Sequence, residues 1–200
     1  MPSIDDIAAE YVERAAALDP CYATSAGIAG HDHELADLGA DGFAGRAGLD
    51  RSALAALDAV EAPEPREQVA RAAMAERLAL AVECYDAGDT TSELNTINSW
   101  VQRVREVFDL MPADGEEAAA NIAKRMAAVP RAYRQLSATL LEAARDGRCA
   151  ARRQVEEVAG QCAAWARPGD CFYSSLKERG RVKGGASWGF CGLSGSAGHA

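Results

Sequence analysis

The residues most able to do chemistry lie close together in "HDHELAD", residues 31 to 37. The stretch carries two of the chain's three histidines, His31 and His33. His33-Glu34-Leu35-Ala36-Asp37 differs at its last residue from His-Glu-x-x-His, the helical motif that places two imidazoles on one face to bind zinc and a glutamate beside them as base. A His33/Asp37 pair would need a stable helix of several turns and a third protein ligand. Gly30 and Gly39 flank only a short segment, His31 would face away from His33 on a helix, and the remaining histidine, His199, is remote in sequence. The spacing therefore points to a polar turn in which Asp32 and Asp37 accept backbone hydrogen bonds, with no metal ligands and no catalytic residues assigned.

Other chemistries find less support. There is no Gly-x-Ser-x-Gly, no Cys with an obvious His partner, and no Walker-type or dinucleotide-binding glycine pattern. "KGGASWGFCGLSGSAG" is rich in glycine but has neither a strand before it nor a helix after it. The six cysteines form no C-x-x-C pair, and they read as reduced thiols. The most distinctive stretch is "NTINSWVQRVREVFDLMP". In it Asn95, Asn98 and Ser99 suit a helix start, while Arg105 and Asp109 sit beside apolar residues. Asn95, Ser99, Arg105 and Asp109 are the polar residues that would either tie loops together or line a cleft.

These residues need helices to position them. Apolar residues recur at helical spacing along most of the chain, and no stretch alternates strictly as a half-buried strand does. Ser3 and Asp6 cap a first helix with Ile4, Ile7, Ala8, Tyr11, Val12, Ala15 and Leu18 on one face, stopped by Asp19-Pro20. A glycine-punctuated loop region follows. A second helix is expected over Leu49–Val60 and a third over Arg66–Ala87, with Val69, Ala73, Leu80 and Cys84 apolar and Gly88 as its stop. Trp100, Val101, Val104, Val107 and Phe108 mark the next. Asp114 and Glu117 suggest the cap of a helix through Met126, Pro130 the start of another through Leu141, and a last helix covers Cys149–Trp165. The fold class is all-α, six or seven helices in an irregular bundle.

After Leu176 the pattern changes. Lys177, Arg179, Arg181 and Lys183 stand against Glu178 alone, and glycines occupy 180, 184, 185, 189, 192, 195 and 198. The division expected is a helical domain, 1–176, and a basic, glycine-rich tail, 177–200, that is either unstructured or derived from a frameshift. The net charge of −9 argues against nucleic acid or an anionic membrane as a partner. The N-terminus lacks a basic-then-apolar export signal, and no apolar run reaches transmembrane length, so a cytoplasmic location is expected.

"LDPCYATSAGIAGHDHELADLGADG", "ELNTINSWVQRVREVFDLMP", "NIAKRMAAVPRAYRQLSATLLEAARDG" and "AARRQVEEVAGQCAAWA" together resemble the N-terminal part of the bacterial family known as domain of unknown function 885. Order and spacing fit over about residues 5 to 176, and "VREVFDLMP" is the most specific piece. Where the family commonly has proline after the serine, Trp100 stands here.

Complete members of that family resemble gluzincin-type zinc metallopeptidases. The resemblance implies that zinc belongs to residues beyond this pattern, since the family's His-Glu-x-x-His lies later and none occurs here. It also implies that "GHDHELAD" is not the zinc site. The expectation is a truncated, catalytically inactive N-terminal fragment without a cofactor of its own. The alternative is a helical module that uses an exposed apolar face to self-associate or bind a helical partner.

Overall fold

A computed structural model of the protein describes residues 2–62, 64–167, 172, 173 and 176. Among these residues there are eight helices and no strand: α1 (Ile4–Leu18), α2 (Pro20–Ser25), α3 (Ala40–Asp58), α4 (Pro65–Ala87), α5 (Asp89–Ser92), α6 (Trp100–Leu110), α7 (Glu116–Arg145) and α8 (Arg152–Trp165). The all-α class follows directly from the spacing of apolar residues. The tail from Lys177 lies outside the described residues.

Two helices begin and pack as their sequences dictate. Ser3 and Asp6 close a reciprocal capping box at α1, the Asp6 amide donating to Ser3 Oγ and the Ser3 amide to Asp6 Oδ2. Trp100, Val101, Val104, Val107 and Phe108 all turn inward on α6, together with Gln102. They fill the main core with Leu35, Leu38, Phe43, Ala132, Leu136 and Val158. A second apolar cluster, of Ile4, Ile7, Ala53, Leu57 and Leu78, joins α1, α3 and α4.

Elsewhere the structure corrects the sequence reading. Pro20 does not open a loop; it occupies the first turn of the short helix α2, where its missing N–H costs nothing. The second expected helix starts nine residues earlier, at Ala40 rather than Leu49, and takes Gly42, Gly45 and Gly48 into its body. Helix α4 has the expected bounds within a residue, but its buried contact is Leu78. Val69 (70% exposed), Ala73 and Leu80 point outward. The two helices expected on either side of Pro130 are one helix, α7, of 30 residues. Pro130 has no N–H to offer the carbonyl one turn earlier, a loss of about 3 kcal/mol in an isolated helix. Burial of Val129 and Ala132 on either side keeps α7 continuous. Its N-cap is Gly115, not the Asp114/Glu117 pair. The last helix begins at Arg152, so Cys149 lies before it.

Gly42 shows why α3 tolerates glycine. A Cβ there would stand 2.1 Å from the Asp37 carbonyl oxygen. The backbone of the 31–38 segment therefore rests directly on the first turn of α3. Gly48, on the same helix, has open space where its Cβ would be. Gly48→Ala should stabilise the protein by up to about 1 kcal/mol through helix propensity. Gly42→Ala should destabilise it by about 2 to 4 kcal/mol, because the clash is with backbone and outweighs the propensity gain. Urea unfolding of the two variants beside the parent measures both signs.

Candidate functional site

Three polar clusters surround the main core. The first is built on Arg125. Its side chain is fully buried, and its guanidinium donates to four oxygens. Nε reaches the Glu34 carbonyl at 2.7 Å, and Nη2 reaches the carbonyls of His31 at 2.7 Å and Pro20 at 3.3 Å. Nη1 donates to Thr24 Oγ1 at 2.9 Å, and the Thr24 hydroxyl passes the contact on to Asp32 Oδ1 at 2.8 Å. Carbonyl dipoles rather than a carboxylate thus solvate the cation, and burial pulls its pKa below the usual arginine value. Next to it, burial first and Asp19 second push the Cys21 thiol up to about 11, so Cys21 is a neutral packing residue rather than a nucleophile.

The second cluster is centred on Trp100. Arg103 donates to Asp19 Oδ2 at 2.7 Å, while Asp19 Oδ1 caps α2 by accepting from the Tyr22 amide at 2.9 Å. The Arg103 guanidinium lies 4.0 Å from the Trp100 ring centroid. Arg46 stands over Phe43 at 4.5 Å and Trp100 at 4.9 Å, and donates to the Asp37 carbonyl at 2.9 Å. Two cations stacked on one buried indole bind α3 and α6 to the end of α1. Asp37 completes this corner, accepting from the Gly39 amide and from Gln135 Nε2, both at 2.8 Å.

The third cluster contains two of the four residues singled out in the sequence, Asn95 and Ser99. The Asn95 side chain accepts from the amides of Ile97 and Asn98 at 2.9 and 2.7 Å, a tight Asx turn. Ser99 caps α6, and Gln102 answers from the third helical position: its Oε1 accepts from the Ser99 amide at 2.9 Å and the Ser99 hydroxyl at 2.6 Å. Gln102 Nε2 donates to Gln161 Oε1 at 2.8 Å and to the Asn95 carbonyl at 3.1 Å. Gln161 then donates to the Thr96 carbonyl at 3.0 Å, which ties α8 to the loop before α6. Trp100 takes the first helical position without disturbing this turn.

Arg105 and Asp109 do not join the cluster. They pair with each other one turn apart on α6, and the Arg105 guanidinium lies 4.1 Å from the Phe172 ring. All four residues therefore brace the structure locally, and among the described residues they do not converge on a common point.

The "HDHELAD" segment is not helical, so His33 and Asp37 do not share a helix face. His31 and His33 instead flank Glu34, at 3.9 and 3.3 Å from its carboxylate. Asp37 accepts a backbone hydrogen bond as the turn reading expects; Asp32 accepts from the Thr24 hydroxyl instead. Among the described residues no three His, Cys, Asp or Glu side chains are grouped so as to hold a metal ion. No described helix is long and apolar enough to cross a membrane.

The sequence reading missed Arg125, Gln102 and Arg46. Two of them left a trace. Arg125 lies in register with Ile122, Val129, Ala132 and Leu136, so a charged residue sits on the inward stripe of α7. Gln102 stands three residues after Ser99, the spacing of a capping box. Arg46 carries no such signal, because its partners other than Phe43 come from three other segments.

The family described as "Bacterial protein of unknown function (DUF885)" matches residues 20–186. The chain belongs to that family. The match covers the first and third polar clusters and all of the second except Asp19, and leaves α1 outside. A search of curated proteins finds no match.

Arg125→Met should cost about 3 to 5 kcal/mol, since it strands buried carbonyls that the guanidinium now satisfies. Arg125→Lys should be intermediate, because one ammonium cannot span the same four acceptors. Equilibrium urea unfolding followed by far-UV circular dichroism would establish this order.

Proposed function

We propose that these residues form the helical N-terminal portion of a zinc-metallopeptidase-like protein, a portion that braces the fold and carries no metal chemistry itself. The observation behind this reading is that the polar side chains best suited to chemistry already have internal partners. Arg125 has four acceptors, Ser99 and Gln102 satisfy each other, and Asp19 is held by Arg103 and the α2 cap. Two further facts support it: the order of the four sequence stretches within the family match, and the lack of a His-Glu-x-x-His in the 200 residues. On this reading zinc and the hydrolytic residues belong to chain outside this sequence; the family match itself runs on past Leu176, to residue 186.

A specific observation favours a second reading. Val69, Leu80, Ile97, Leu110, Leu141 and Val155 are large apolar side chains left exposed. A helical module that self-associates or takes up a helical partner would bury such residues.

Zinc content and peptide hydrolysis, measured on the purified chain, test the first reading. It expects zinc well below one ion per chain after dialysis and no chelator-sensitive cleavage of unstructured peptides. Stoichiometric zinc, lost in His33→Ala, or zinc-dependent cleavage overturns it. Sedimentation velocity separates the second reading, which expects a defined oligomer with a sharp melting transition. Translating the DNA beyond codon 176 in every forward frame adds an independent check. A frame that restores helical patterning and reaches a His-Glu-x-x-His supports the peptidase-like reading; no such frame supports the module.

A further inference from the structure

Two long helices each leave one side without a partner among the described residues, and the two sides are opposite in charge. On α4 only Leu78 is buried. The side opposite Leu78 carries Val69, Ala72, Glu76, Ala79, Leu80 and Glu83 at helical spacing, all exposed. Its large apolar members, Val69 and Leu80, are 70% and 47% exposed. Its charges are Glu76 and Glu83. Arg77 stands to one side, 3.5 Å from the Glu76 carboxylate, but both groups are open to solvent and the pair does little to neutralise the face.

Helix α7 carries the reverse sign. Arg125, Val129, Ala132, Leu136 and Ala143 face the interior. Outward, Lys124, Ala127, Arg131, Arg134, Ala138 and Leu141 follow one another in steps of three or four residues, all exposed, Leu141 at 60%. Lys124, Arg131 and Arg134 have no ion pair among the described residues. Arg145 extends the row but is paired with Glu142 at 2.8 Å. A chain of net charge −9 thus gathers three unpaired cations on one helix face and presents carboxylates between apolar residues on another. The spacing agrees as well. Glu76 and Glu83 are seven residues apart, as are Lys124 and Arg131, a separation of about 10.5 Å along either axis.

We propose that the outward face of α4 docks on the outward face of α7 in a second copy of this chain, an arrangement that rests on the reading of the chain as a self-associating module and names its surfaces. Glu76 and Glu83 of one copy would lie against Lys124, Arg131 and Arg134 of the next, and Val69 and Leu80 against Ala127, Ala138 and Leu141. The alanines on both faces let the two helix axes approach closely.

Within one chain α4 packs on α3 and α7 packs on α5 and α6, so both faces stay free on the same molecule. Like pairings are opposed, acid against acid on α4 and base against base on α7, and the unlike pairing is selected. Because two different faces meet, the contact runs head to tail and builds rings or open chains rather than a two-fold dimer. One helix against one helix is a small interface, so association is weak and grows with protein concentration.

Sedimentation velocity of the full 200-residue chain over a concentration series tests the proposal. The parent should gain average mass with concentration and lose it as salt is raised. Glu76→Lys with Glu83→Lys reverses the α4 face; Lys124→Glu with Arg131→Glu and Arg134→Glu reverses the α7 face. Each variant alone should associate at least about tenfold more weakly than the parent. An equal mixture of the two should associate again, since each then offers the charge that the other needs. Leu80→Ser leaves every charge in place and should weaken association about fivefold through the lost apolar contact. All of these positions are exposed, and circular dichroism verifies that each variant keeps its helices. An oligomer that ignores both reversals, or a mixture that stays monomeric, overturns these surfaces and leaves the module reading in place. A parent that is monomeric at every concentration overturns both.

Discussion

The Arg125 guanidinium forces the long helix α7 and the irregular chain between α2 and α3 into one arrangement. That chain has no ladder of its own to satisfy its carbonyls. Arg125 supplies donors to two of them, those of His31 and Glu34, and to the Pro20 carbonyl and Thr24 hydroxyl of α2, from inside the protein. A buried cation is expensive to desolvate. Here the cost is met by four oriented oxygens rather than by a carboxylate, so the ion is satisfied only when the segment takes this path. Thr139 and Gln135 reinforce the path from the same helix, bonding to the Leu38 carbonyl and the Asp37 side chain. Once it is laid down, Leu35, Ala36 and Leu38 project into the main core, and Asp37 presents its carbonyl to Arg46 and to the start of α3.

The Trp100 cluster depends on that placement. Arg46 can stack on Phe43 and Trp100 because Asp37 holds its other side. Arg103 can stack on the same indole because Asp19 is fixed at the α1–α2 junction. The loop before α6 is fastened separately by Ser99, Gln102 and Gln161. The DUF885 family match extends over all of these residues except Asp19.

How much of this was legible depended on whether the signal was local. Helices α1 and α6 were readable because a cap and an inward stripe coincide within a few residues. Pro130 misled, since its local effect is to end helices and the packing of Val129 and Ala132 that overrides it is tertiary. The early start of α3 was hidden by three glycines whose low helix propensity is outweighed by the close approach at Gly42. The outward Val69 and Leu80 look like core residues in any windowed reading. Ser99 and Asn95 were visible as helix-start residues, but their link to Gln161 joins residues far apart in sequence. Arg125 stood on a legible stripe, yet its partners lie 91 to 105 residues earlier, where no pattern points to them.

That separation bears on how the protein is made. The segment around Leu35 and Leu38 leaves the ribosome long before the arginine that organises it. At about 5 to 20 residues per second, the interval for roughly a hundred residues is on the order of 5 to 20 s. During it, Leu35, Leu38 and Phe43 have no finished core to enter. The smaller cluster of α1, α3 and α4 can assemble in that time, since all of its residues precede α5. Synthesis thus delivers every residue of the smaller lobe first, beside a stretch of apolar chain whose organising arginine arrives only with α7.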